Sequence, residues 1–190
     1  GATTMGYDHV NGSGKGIILQ HFDKVNKDYK LPPLDYLRKY FDKPYYRDEI
    51  NFEWLSEMDI YHQLAYLSLN SFQRSLLMNR LPEKTSKAFC EMYDELYSDE
   101  FDSEVPDLFE CLFCYRYGYP FDCFKGVSDY DGNIMFYCCV QYPLEEYNKN
   151  FSELTEDVFI KQLREFFADL LDDEYYKTVE LSLCEEYIKE

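Results

Sequence analysis

Thirty-one consecutive residues, Asn51 to Leu81, contain neither proline nor glycine. A run of that length without a backbone breaker points to helix if its apolar residues recur at helical spacing. They do: Trp54, Met58, Tyr61, Ala65, Phe72 and Leu76 are separated by three, four and seven residues. The spacing predicts a helical stripe that Ser68 to Ser71 divides in two. Pro82 then ends the second half or opens the next helix at its first turn, where a missing N–H costs nothing.

The same logic places further helices. Leu34, Leu37, Tyr40 and Phe41 share one side of a short segment after Pro32-Pro33. Phe89, Met92, Tyr93, Leu96 and Tyr97 form an apolar face from which Glu91, Asp94 and Glu95 lie away. Asp99-Glu100-Phe101-Asp102 reads as a loop, and Ser103 as the cap of a helix that turns Val105, Leu108, Phe109 and Leu112 inward. Gly118 is placed to end that helix, and Pro120 prevents its continuation. Thr155, followed by Glu156 and Asp157, is a candidate N-cap for a helix with Val158, Phe159, Leu163, Phe166, Phe167 and Leu170 on one face.

Strand signals are confined to the later part of the chain. Strand-like residues run to Tyr130, Asp131-Gly132 supplies the two positive-φ positions of a tight turn, and Ile134 to Tyr142 returns. Thr178 to Cys184 alternates, with Val179, Leu181 and Leu183 on one side, and reads as a third strand in preference to a terminal helix. The expected fold class is therefore α+β: mostly helical, with a β-hairpin or small antiparallel sheet in the C-terminal half.

A chain of 190 residues with 20 tyrosines and 15 phenylalanines can bury one substantial core. Residues 17–190 read as a single globular domain. Residues 1–16 read as a flexible tail: Gly1-Ala2-Thr3-Thr4 precede Met5 as the remnant of a cleaved fusion would, and Gly12-Ser13-Gly14-Lys15-Gly16 is linker-like. No apolar run approaches the ~20 residues that span a membrane. Seven cysteines, an odd number with Cys138 and Cys139 adjacent, fit free thiols in a reducing cytoplasm better than a disulfide framework.

Charge is segregated along the chain. Residues 1–81 hold ten Lys/Arg and ten Asp/Glu, whereas residues 82–190 hold nine and twenty-seven, so the net charge of −18 arises wholly after Leu81. Residues 15–47 are locally basic, with eight Lys/Arg against four Asp, while Glu83 to Glu110 contains ten carboxylates and two lysines. Surface acids are ordinarily interspersed with cations, because like charges at helical spacing cost a few tenths of a kcal/mol. A lysine-poor stretch of this kind repels nucleic acid and anionic membrane and attracts a basic surface.

Several chemistries are suggested by fragments and fail on spacing. Gly12-Ser13-Gly14-Lys15-Gly16 lacks the first glycine of a phosphate loop, where His9 stands, and the hydroxyl after the lysine, where Gly16 stands. Aligned as a calcium loop, Asp129-Tyr130-Asp131-Gly132-Asn133 puts Val127 and Cys138 at ligand positions. Cys111-Leu112-Phe113-Cys114 is a single Cys-x-x-Cys set in a helix, where structural zinc generally takes two such turns. Asp107 and Glu110 beside it oppose thiolate formation and so a redox role. Asp59-x-x-His62 has helical spacing but no second carboxylate–histidine element. His9 and His21 pair with nothing in particular, and no nucleophile elbow is present.

These readings converge on a non-enzymatic interaction protein with no metal site and no cofactor. Its acidic face, centred on Glu91, Asp94, Glu95, Asp99, Glu100, Asp102 and Glu104 and extended by Asp169, Asp172 and Asp173, is expected to occupy a basic surface of another macromolecule. Tyr93, Tyr97, Tyr175 and Tyr176 are placed to stand beside those carboxylates. The partner types expected are a nucleic-acid-binding enzyme, inhibited by mimicry of a phosphate backbone, or a basic toxin neutralised by an immunity protein. Direct nucleic-acid or membrane binding is not expected. A metal-binding protein or enzyme built on the cysteines is the competing class, and a scaffold that binds through its aromatics is a third.

Overall fold

The computed structural model describes residues 7–18, 25–42, 50–97, 105–119, 122–124, 137–141, 154–172, 174, 177 and 182–189. Side chains are described for 25–42, 50–96, 107–119, 154–155, 157–172, 174 and 177. Among the described residues, seven helices carry the core: α1 (Leu34–Tyr40), α2 (Phe52–Leu55), α3 (Ile60–Ser68), α4 (Ser71–Arg80), α5 (Ser86–Tyr97), α6 (Val105–Tyr117) and α7 (Glu156–Leu171).

The long uninterrupted run is cut into three helices, not two, and each cut is a polar cap. The Asn51 side chain accepts from the Glu53 amide, Asp59 from the His62 amide and Asn70 from the Gln73 amide. At Asn70 the cap is reciprocal, with the Gln73 side chain accepting from the Asn70 amide at 2.9 Å. Each restart rephases the stripe. Trp54, Met58 and Ala65 are buried as expected, but Phe72 is 74% exposed and Leu77, one residue past the expected Leu76, is fully buried. Arg74 joins it inside, its guanidinium donating to the Leu69 carbonyl.

The later helices begin and end where their punctuation lies. Thr155 caps α7 by accepting from Val158 at 3.2 Å. Gly118, at φ +83°, ends α6 and donates to the Cys114 carbonyl at 2.8 Å. Only glycine enters that conformation without cost. At the far end of α7, Asn26 donates its backbone amide to the Leu170 carbonyl and its side-chain amide to the Asp169 carbonyl. Two of the carbonyls that every helix leaves unpaired at its C-terminus are thereby satisfied.

The α+β expectation is corrected by this arrangement. Of the residues with described side chains, 69% are helical and none lies in a strand, so helix packs on helix to make the core. The expected C-terminal-half hairpin is not seen: its turn at Asp131-Gly132 lies outside the described residues. Among the described residues the strands are β1 (Tyr7–Ile18), β2 (Asp122–Phe124), β3 (Tyr137–Gln141) and β4 (Ser182–Lys189). These pair antiparallel in the order β2-β3-β1-β4, around an N-terminal strand. The physical reason lies in the apolar inventory. Alternation reports only a fit to a pleated surface, whereas the residues that fill this core recur at helical spacing.

The rephased stripe yields a direct check. Leu77→Ala is expected to lower the unfolding free energy by about 2–5 kcal/mol. Phe72→Ala should change it by no more than about 0.5 kcal/mol. Urea unfolding of both variants measures the contrast, and the reverse order would restore the uninterrupted stripe.

Candidate functional site

Helix α5 carries the described part of the acidic face. Its first turn is fixed by Thr85, whose Oγ1 accepts from the Ala88 amide at 3.1 Å, and by Ser86, whose Oγ donates to Glu57 Oε2 at 2.6 Å. One side of the helix is anchored by Phe89 and Tyr93, both fully buried. Phe89 packs edge-on to Tyr66 at 4.9 Å between ring centroids and lies 6.0 Å from Trp54. Tyr93 stacks along Phe89 at 6.2 Å and meets Tyr61 edge-on. Tyr93 is therefore core and not part of a recognition face, which corrects its expected role. Tyr97's side chain and residues 175 and 176 lie outside the described set.

The expected carboxylates separate into three groups. Glu91 and Glu95, one turn apart, are exposed and have no ion-pair partner among the described residues. Asp94 faces the body instead: its Oδ1 lies 2.9 Å from His62 Nε2. The other ring nitrogen, Nδ1, is 2.9 Å from Asp59 Oδ1. Asp59 also caps α3, and the Asp59–His62–Asp94 chain thus joins the start of α3 to the middle of α5. Asp99, Glu100, Asp102 and Glu104 lie outside the described residues.

The proposed extension along α7 is not a row of free acids. Asp169 pairs with Arg116 of α6 at 3.0 Å, and Asp172 is the left-handed C-cap of α7 at φ 50°. Asp173 is outside the described set. Among the described residues, the basic N-terminal segment meets the acidic stretch at its far end. Tyr36 of α1 donates to the Cys111 carbonyl at 2.9 Å and packs on Tyr115 at 4.8 Å. The neighbouring Tyr40 hydroxyl is pushed up in pKa by burial and then by Glu110. None of Lys27, Lys30, Arg38 or Lys39 forms a described ion pair with Glu91 or Glu95.

The thiols on the helices are poorly suited to nucleophilic or metal chemistry. Cys111 is buried, while Cys90 and Cys114 are half-buried and free. The Cys90 thiol is pushed up to about 11 by burial first, then by the charges of Asp59 and Asp94. Cys114 is raised by burial, against a hydrogen bond from Tyr36 that favours its thiolate. Among the described residues no three His, Cys, Asp or Glu side chains are grouped to hold a metal ion. The side chains of Cys123, Cys138, Cys139 and Cys184 are not described. No family model, no curated protein and no solved structure matches the chain.

Two features of the site escaped sequence reasoning. The Asp59 half of the histidine link was visible as an i,i+3 pair, but Asp94 is thirty-two residues from His62 and carries no local signal. Arg74 gave none either, since nothing in a helical stripe marks a buried cation.

Two measurements follow from this geometry. A double-mutant cycle between His62→Gln and Asp94→Asn should give a coupling of about 0.5–1 kcal/mol, small because Asp94 is half exposed. The unfolded chain releases the Cys90 proton near its ordinary value of 9.0, and the folded protein holds it to about 11. Stability contributed by the neutral thiol is thus full below pH 9.0 and lost as pH rises towards 11. Peptide-mapped alkylation of Cys90 is expected to stay slow at neutral pH and to accelerate only in that window.

Proposed function

We propose that this is a non-enzymatic acidic interaction protein that occupies a basic surface on a macromolecular partner, acting as an inhibitor. The observation that carries the reading is the outer side of α5. Glu91 and Glu95 are exposed, and form no ion pair among the described residues, on a helix whose other side is held by buried Phe89 and Tyr93. A rigid platform presents charge with little ordering cost on binding.

The spacing narrows the partner. Carboxylates one helical turn apart are separated by about 5.4 Å along the axis, far sparser than the one charge per ~1.7 Å of duplex DNA. That density favours a compact basic cleft, such as the working surface of a toxin or of a nucleic-acid-processing enzyme, over a long duplex-binding track. Direct contact with nucleic acid is opposed by a net charge of −18. We assign the protein to the cytoplasm on the strength of its free thiols. Among the described residues, no helix is long and apolar enough to cross a membrane.

The revised role of Asp94 sharpens the test. Charge reversal at Glu91 and Glu95 together should slow association with the captured partner by about tenfold or more at low salt, with no loss of thermal stability. Raising salt through the physiological range should weaken the wild-type complex steeply, because exposed charges are screened over about 8 Å. A partner retained equally by wild type and the Glu91→Lys/Glu95→Lys variant, or one held regardless of salt, contradicts the proposal.

A further inference from the structure

We propose that a cleft on α7, bordered by Lys161, Arg164 and Lys177, binds a phosphate-type oxyanion. The cleft encloses about 450 Å³ and is lined by these three cations with Asp157, Ile160 and Glu165. Residues 157, 160, 161 and 164 fall three, four and seven apart, so they share one side of the helix. The opposite side is spent on the core through Phe159, Leu163, Phe166 and Phe167. Lys177, beyond the end of α7, closes the site.

Arg164 is the centre of the argument. Its side chain is half-buried and its Nε is covered from solvent, with no hydrogen-bond acceptor among the described residues. It takes part in no described ion pair. Five N–H groups fixed in a planar fork match two oxygens of one oxyanion, and a buried donor without an acceptor is costly.

The two lysines complete a binding set and keep donors to spare. Lys161 reaches Glu165 only at 3.9 Å, and Lys177 holds Glu174 with one of its three N–H groups at 2.6 Å. The lining sets Lys161, Arg164 and Lys177 against Asp157 and Glu165, with Glu174 held at the edge by Lys177, and Arg164 is the cation of the three with no carboxylate partner among the described residues. Ile160 adds an apolar wall, and the volume exceeds that of a bare phosphate. The ligand chemistry this fits is a phosphate group, either free or carried on a small organic molecule. The inference stands apart from the α5 face, and either could fail alone.

The test is an amide-shift titration of the isotopically labelled full chain with inorganic phosphate and, separately, with phenyl phosphate, at matched ionic strength. The expected result is a saturable shift at Ile160, Lys161, Arg164 and Lys177. Arg164→Gln should weaken it by about tenfold or more, without change in melting temperature, and Lys84→Gln should leave it unaltered. Tighter binding of phenyl phosphate supports an organic phosphate as ligand; binding of inorganic phosphate alone supports the free ion. Absence of saturable shifts with both probes, or equal affinity in Arg164→Gln, overturns the proposal.

Discussion

Phe113 of α6 packs among described rings that include Tyr117 at 4.6 Å, Tyr119 at 5.4 Å, Phe166 at 5.6 Å and Phe159 at 6.0 Å. One turn earlier Phe109 packs edge-on against Phe167 and Phe166. This interlock of α6 with α7 is the contact on which the rest depends. The same α6 receives α1 through the Tyr36 hydroxyl and touches α3, so the N-terminal helices are placed by reference to it. Offset and edge-on ring pairs fix orientation as well as depth, which is how short helices obtain definite angles here.

The interlock also makes the charge tolerable. Exposed like charges at helical spacing cost a few tenths of a kcal/mol per pair, whereas a fully buried phenylalanine contributes about 1.5–3 kcal/mol. Phe89, Phe109, Phe113, Phe166 and Phe167 are all essentially buried. Their combined contribution exceeds the repulsion among the described surface acids by a wide margin. A chain with 15 phenylalanines and 20 tyrosines can leave carboxylates such as Glu91 and Glu95 uncompensated without losing its fold.

How much of this was legible depended on whether the signal was local. Thr155, Gly118 and the apolar faces of α6 and α7 announced themselves through residues within a turn or two of one another. The stripe of residues 51–81 was recognised, yet its phase was wrong after Asn70, because a capping asparagine restarts a helix without obliging it to keep register. The α+β expectation met another limit: Asp131-Gly132, which lies outside the described residues, is a strong local preference, but a preference for a turn does not decide which elements fill the described core. Asp94 failed for the opposite reason, since its position on the polar side of α5 was right and its distant partner His62 was invisible.

That partner changes what α5 is. Read as a row, Glu91, Asp94 and Glu95 are three equivalent acids. In the fold, Asp94 belongs with Phe89, Tyr93 and Ser86 as a group that ties α5 to the body, and Glu91 and Glu95 remain as a pair one turn apart. Lys87, one turn before Glu91, is exposed on the same side, so the described charge-free-of-cation surface begins at Glu91 and not at the start of the helix. A helix pinned on one side by rings and a histidine link, and bare on the other, has little freedom to adjust its two exposed carboxylates. Recognition through them, as proposed, would therefore require a partner whose cations already lie about one helical turn apart.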